Sequence, residues 1–105
     1  MVPCLVLLTV RMAMPTSFVL YSRSYCHLCE DMLLALARCA GVRPYAVQVV
    51  DVDMNPTFLE RYDELVPVLM GRHDDGALQQ LCHYFLDDGI VTAFFATSPV
   101  TRYGA

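Results

Sequence analysis

The chain has 105 residues and a mass of 11.8 kDa, which is room for one domain with its own core. With 56% hydrophobic and 17% charged residues it is too apolar for a disordered segment, and five Gly and six Pro exclude collagen-like and low-complexity classes. The net charge is −4, the seven basic residues are all Arg and none forms a run, which argues against a nucleic-acid partner.

The first segment, MVPCLVLLTVRMAM, is apolar from Val2 to Val10. It falls well short of the roughly 20 residues that span a bilayer. Its only basic residue, Arg11, follows the apolar stretch rather than preceding it, so it is a poor export signal. The expected organisation is an extension over residues 1–15, with Met14 as an alternative start, a domain over 16–97 and a tail over 98–105. A cytoplasmic location without membrane attachment is the expectation that follows.

After Pro15 the elements alternate in type. Phe18 to Tyr21 is a short apolar strand. His27 to Ala40 is helical, with Leu33, Leu36, Ala37 and Ala40 on one face and Gly41 as the C-terminal stop. Ala46 to Val52 is rich in valine and reads as a buried strand. Asn55-Pro56 opens a second helix, with Phe58, Leu59, Tyr62 and Leu65 as its apolar side. Val66 to Met70 is a strand containing Pro67, Gly71 to Gly76 a turn, and Leu78 to Phe85 another strand. Asp87 or Asp88 caps a last helix whose apolar side is Ile90, Val91, Phe94 and Phe95. The order β-α-β-α-β-β-α predicts an α/β fold. Its four-stranded mixed sheet has helices on both faces, the first two strands parallel and the last two antiparallel.

Five cysteines is a high and odd count, which argues against a simple disulfide framework. Cys26 and Cys29 form a Cys-x-x-Cys between the first strand and the first helix. At that spacing both thiols lie on the first helical turn and can close a small disulfide. Cys26 stands at the helix N-terminus, where unpaired N–H groups and the helix dipole favour a thiolate, the reactive nucleophile. Cys29 is placed to resolve the mixed disulfide that forms on Cys26. Arg23 and His27 are candidate thiolate-tuning cations, although His27 reads equally as a solvated surface residue. Glu30 and Asp31 compete with the thiolate for the same positive helix end.

The rival reading is half of a zinc site. A structural zinc takes four ligands, and the remaining cluster, Cys82-His83, lies on a strand where neighbours point to opposite faces. No metal is therefore expected. A non-catalytic module that uses the pair to hold a metal, an iron–sulfur cluster or a protein partner is the alternative to an oxidoreductase. Cys39 and Cys82 read as core or semi-buried residues, and His73 and His83 as surface residues.

These residues resemble the thioredoxin-like superfamily, and its glutaredoxins most closely, over about Ser17 to Ala96. Tyr21-Ser22-Arg23-Ser24-Tyr25-Cys26-His27-Leu28-Cys29 resembles the strand and Lys-x-x-Cys-x-x-Cys start of that family, with Arg23 in place of Lys. Val49-Val50-Asp51-Val52-Asp53 is similar to its second strand, and Leu65-Val66-Pro67-Val68 to its Thr-Val-Pro segment. The resemblance implies a thiol–disulfide oxidoreductase acting on protein or small-molecule disulfides. It also implies a cis Val66-Pro67 bond and a substrate groove formed by Tyr25, Val66, Pro67, Tyr84, Phe85, Asp87 and Asp88. No tightly bound cofactor is expected. Glutathione and thioredoxin reductase are the two candidate reductants. Against glutathione stands one departure: Tyr84-Phe85 occupies the place of the family's Gly-Gly, where two side chains fill space that glycine leaves open. The whole pattern is similar to short bacterial glutaredoxin-like proteins of uncharacterised function.

Overall fold

A computed structural model describes residues 15–97, so the expected segment 1–14 with Cys4 and the tail from 98 lie outside the described residues. The elements are β1 (Thr16–Ser22), α1 (His27–Ala40), β2 (Tyr45–Asp51), a short 3-10 turn (Val52–Met54), α2 (Pro56–Tyr62), β3 (Val68–Arg72), β4 (Leu78–His83) and α3 (Asp88–Ala96). The sheet order is β2-β1-β3-β4. β1 runs parallel to β2 and antiparallel to β3, and β3 pairs antiparallel with β4. This is the mixed α/β architecture expected from the alternation of elements.

β1 is central and buried on both sides, and its period of two sorts its residues between two cores. Phe18 and Leu20 join Met32 and Leu36 of α1 and Val91, Phe94 and Phe95 of α3. Val19 and Tyr21 face the opposite way, where they meet Val52, Val68 and Met70 with Tyr62 of α2. Tyr21 and Tyr62 stack with ring centroids 4.5 Å apart. Helices thus cover both faces, and the Cys pair sits at the start of the one that packs against α3.

Each helix begins where a side chain satisfies its free N–H groups. Asn55 Oδ1 accepts from the amides of Thr57 and Phe58 at 2.9 and 3.4 Å, and Pro56 fills the first turn. Asp87 Oδ1 accepts from the Ile90 amide at 3.0 Å. α1 stops at Gly41, whose φ of 62° suits glycine.

The structure corrects several sequence expectations. The buried stripe of α1 is Cys29, Met32, Leu36 and Ala40, so Leu33 and Ala37 lie off its centre. β2 is an edge strand of half-buried and exposed residues rather than a buried one, and Val52 leaves it to be buried in the 3-10 turn. β3 starts at Val68, after Pro67, and runs through Gly71 and Arg72, which narrows the turn that follows. A Cβ at Gly71 would collide with the Phe94 ring, so this glycine lets α3 lie close on the sheet. β4 ends at His83, leaving Tyr84 and Phe85 beyond the strand. Ile90 is exposed, while Val91, Phe94 and Phe95 are buried. Leu65 falls beyond the end of α2 but still packs with its core.

Candidate active site

The central strand delivers its chain directly to the thiols. After β1 a short loop carries Arg23, Ser24 and Tyr25 to Cys26, the N-cap of α1. Tyr25 takes a left-handed φ of 57°, and its side chain is fully exposed. Cys26 and Cys29 are joined as a disulfide. The Cys29 amide donates to Cys26 Sγ at 3.1 Å, so one of the free N–H groups of the helix start already points at this sulfur. Cys26 is half-buried, whereas Cys29 is only 3% exposed. The two sulfurs therefore differ in accessibility, the outer one being open to solvent and the inner one enclosed. His27 follows on the first turn and is exposed, as are Glu30 and Asp31.

Arg23 is engaged elsewhere. Its guanidinium bonds Asp53 Oδ1 at 2.8 Å and Asp63 Oδ1 at 2.9 Å, and Nη1 also donates to the Asp63 carbonyl at 3.4 Å. The hydrogen bonds it donates to Asp53 and then Asp63 raise the Arg23 pKa above its ordinary value. The same bond holds the Asp53 carboxyl below the usual carboxylate range. The charge that the sequence offered to the thiolate is therefore shared with two carboxylates. Arg23 also links the cysteine loop to the 3-10 turn and to the end of α2.

Val66-Pro67, the segment expected to line the groove, is joined by a cis peptide bond. Pro67 is buried and Val66 half-buried. Tyr84 closes over this segment. Its amide donates to the Pro67 carbonyl at 3.0 Å and its hydroxyl to the Glu64 carbonyl, so it grips the chain on both sides of Leu65-Val66. Tyr84 also has a left-handed φ of 65°, a conformation that glycine adopts more easily. The His83 ring lies edge-on to it, with centroids 4.7 Å apart. Phe85 projects outward and is 70% exposed. Asp87 then caps α3, and Asp88 is exposed on its first turn.

Between α1 and α3 lies an open groove of about 610 Å³, with Asp31, Ala35 and Arg38 on one wall and Phe85, Asp88 and Thr92 on the other. Cys39 also lines it, with Sγ 3.4 Å from Thr92 Oγ1. Cys82 is a free thiol whose pKa is pushed up by burial, partly offset by a backbone hydrogen bond from Asp87. No group of three or more His, Cys, Asp or Glu side chains gathers at metal-binding distances among the described residues. No helix of the described residues is long and apolar enough to cross a membrane.

The sequence reading missed two features. One is the pairing of Arg23 with acids from two other elements. The other is the grip of Tyr84 on the segment before Pro67. Only the unusual aromatic pair in place of glycines signalled the second.

Comparison with known proteins places this geometry in context. The chain is similar to the solution structure of protein Ne2328 from Nitrosomonas europaea, with 33% identity, a TM-score of 0.67, and coverage of 78% of this chain and 93% of that one. Protein XcR50 from X. campestris is similar at 26% identity and a TM-score of 0.52, with 78% of this chain and 99% of that one covered. Chloroplastic thioredoxin z, at 19% identity and a TM-score of 0.51 over 86% of this chain and 85% of that one, shares the fold. A comparison with curated proteins found no match. A glutaredoxin-like domain family (DUF836) matches residues 17–96, which takes in β1, the Cys-x-x-Cys, the cis proline and α3. A Cys pair at disulfide distance, opening the first helix of a thioredoxin-like fold, belongs to redox-type chemistry, and the chain is a member of this glutaredoxin-like family.

Proposed function

We propose that the protein is a thiol–disulfide oxidoreductase that exchanges its Cys26–Cys29 dithiol with partner disulfides. One observation carries this reading. Cys26 caps α1 with its sulfur on the Cys29 amide, while its resolving partner is buried one turn deeper.

In the reduced protein the Cys26 thiolate attacks one sulfur of a partner disulfide. A mixed disulfide forms, and the partner's other sulfur leaves as thiolate and takes a proton from solvent. Cys29 loses its proton and attacks Cys26 Sγ, which closes the intramolecular disulfide and releases the second partner thiol. Two electrons pass to the partner. A thiol or dithiol reductant, supplied by glutathione or by thioredoxin reductase, returns them. The half-exposed position of Cys26 supports its part as nucleophile. The exposed first-turn position of His27 supports a part in tuning the thiolate. Val66 and Pro67, with Tyr25, Tyr84, Phe85, Asp87 and Asp88, frame the place where a partner docks.

The test is turnover of a disulfide substrate by the full chain, coupled in turn to each reductant. Activity that disappears in Cys26→Ser is the expected result. A wild-type rate no higher than that of Cys26→Ser with both reductants refutes the reading.

A further inference from the structure

The surface around the thiols has a chemistry of its own. Tyr25, next to Cys26, is fully exposed, and Phe85 is largely so. Phe85 is held outward because the preceding Tyr84 is fixed through two hydrogen bonds, to the Pro67 and Glu64 carbonyls. Tyr25, Tyr84 and Phe85 are the exposed aromatic rings on the loops that flank the Cys pair and the cis proline. A ring beside a reactive sulfur offers a large contact area at little entropic cost.

The charge is equally one-sided. Glu30 and Asp31 on α1 and Asp87 and Asp88 at the start of α3 are all exposed carboxylates. Against these four acids stand the exposed imidazoles of His27 and, beside Tyr84, of His83, while the Arg23 guanidinium is paired with Asp53 and Asp63. Arg38 is the cation of the groove between α1 and α3. At 1.5 Å per residue it lies roughly 18 Å along the helix from Cys26. A fully extended tripeptide spans only about 11 Å, so one whose sulfur sits at Cys26 falls short of it. A longer polypeptide reaches it.

Resting on the oxidoreductase reading, we propose that this surface selects polypeptide disulfides, flanked by apolar and basic residues, over the anionic tripeptide glutathione disulfide. The rings of Tyr25 and Phe85 cover apolar side chains next to the partner's cystine. The carboxylates Asp31 and Asp88 face basic residues that continue into the groove. A small anionic disulfide meets the same carboxylates, does not reach Arg38 and gains little from the rings. Tyr84 and Phe85 therefore act as specificity residues, replacing an open surface by an aromatic one.

The experiment is single-turnover oxidation of the reduced full chain, followed by mass spectrometry. Four oxidants are used: glutathione disulfide, a peptide disulfide with Phe and Arg flanking each Cys, the same peptide with Asp for Arg, and a small uncharged aromatic disulfide. The Phe/Arg peptide is expected to react at least tenfold faster than glutathione disulfide and than its Asp counterpart. In Tyr84→Gly/Phe85→Gly the advantage over glutathione disulfide is expected to shrink at least fivefold. Asp31→Asn/Asp88→Asn, which keeps the side-chain shapes, is expected to narrow the Arg-over-Asp preference. Glutathione disulfide reacting as fast as the Phe/Arg peptide with the wild type overturns the selectivity, as does no Arg-over-Asp preference. Failure with the uncharged disulfide as well overturns the oxidoreductase reading itself, so the two failures are distinct.

Discussion

The Arg23 guanidinium and the Asp53 carboxylate meet at 2.8 Å, across a gap of 30 residues in sequence. With Asp63 as a second partner, this pair joins the loop before the thiols to the turn after β2 and to the end of α2. Both side chains are partly exposed, so water screens the pair and its effect on overall stability is small.

Its clearest signature is in titration. Arg23 lowers the Asp53 pKa from its ordinary value, so the folded state holds this carboxylate ionised further into acid than the unfolded chain does. The stability from the pair is present above the ordinary carboxylate value of 3.8 and is lost as pH falls through the lower, folded value. Arg23→Met is expected to return Asp53 to the ordinary range, as read by carbon-13 NMR of its carboxyl. The wild-type and variant unfolding curves should converge in strong acid. An unchanged Asp53 titration would show that the pair does not persist in solution.

Alkylation should separate the four cysteines of the described residues. In the reduced protein Cys26 is expected to react with iodoacetamide first, because it is half-exposed and receives the Cys29 amide. Cys29, almost fully buried, and Cys82, whose thiol is kept protonated by burial, are expected to lag at pH 8. Peptide mapping after short exposure reads the order. Cys82 labelling ahead of Cys26 would contradict it.

Gly71 is predicted to tolerate no side chain. A methyl group there meets the ring of Phe94, which packs the start of the buried aromatic cluster with Phe18 at 5.7 Å between centroids. Gly71→Ala is expected to destabilise the fold by about 1–3 kcal/mol, the usual cost of overpacking. Urea unfolding checks it. Adding Phe94→Leu should recover part of the loss, which a backbone effect at Gly71 alone would not allow.

Asp87 is expected to matter first as a cap. Its carboxylate takes the Ile90 amide, and Asp87→Ala frees that amide at the start of α3. A loss of about 1 kcal/mol is expected by urea unfolding. Asp87→Asn keeps an acceptor in place and should retain most of the stability, whereas equal losses for the two variants would point to a role for the charge.

Much of this fold is legible in the sequence because its signals are local. Asn55-Pro56, Asp87 and Gly41 mark helix ends through groups within a few residues of themselves. The Cys pair is legible for the same reason, since its geometry is set within one turn. β2 misleads because Val47, Val49 and Val50 suit any strand, and only the sheet order makes this one an edge. The partners of Arg23 and the Glu64 carbonyl under Tyr84 are contacts between distant segments, which no spacing rule reports. Met32 and Leu33 of α1 are equally apolar neighbours in sequence, and only the tertiary packing decides that Met32 is the buried one.

The placement of β1 has a consequence for how the chain is made. This strand is the first described element, yet its register partners are Tyr45 to Asp51 on one side and Val68 to Arg72 on the other. At synthesis rates of roughly 5–20 residues per second, it waits on the order of seconds before both neighbours exist. Throughout that interval Phe18, Val19, Leu20 and Tyr21, the centre of both cores, have no sheet to join. The pairing of β1 on both edges is therefore timed by β3, the core around Phe18 waits further for the last helix, and a nascent chain stalled before Val68 presents its stickiest segment to whatever is nearby.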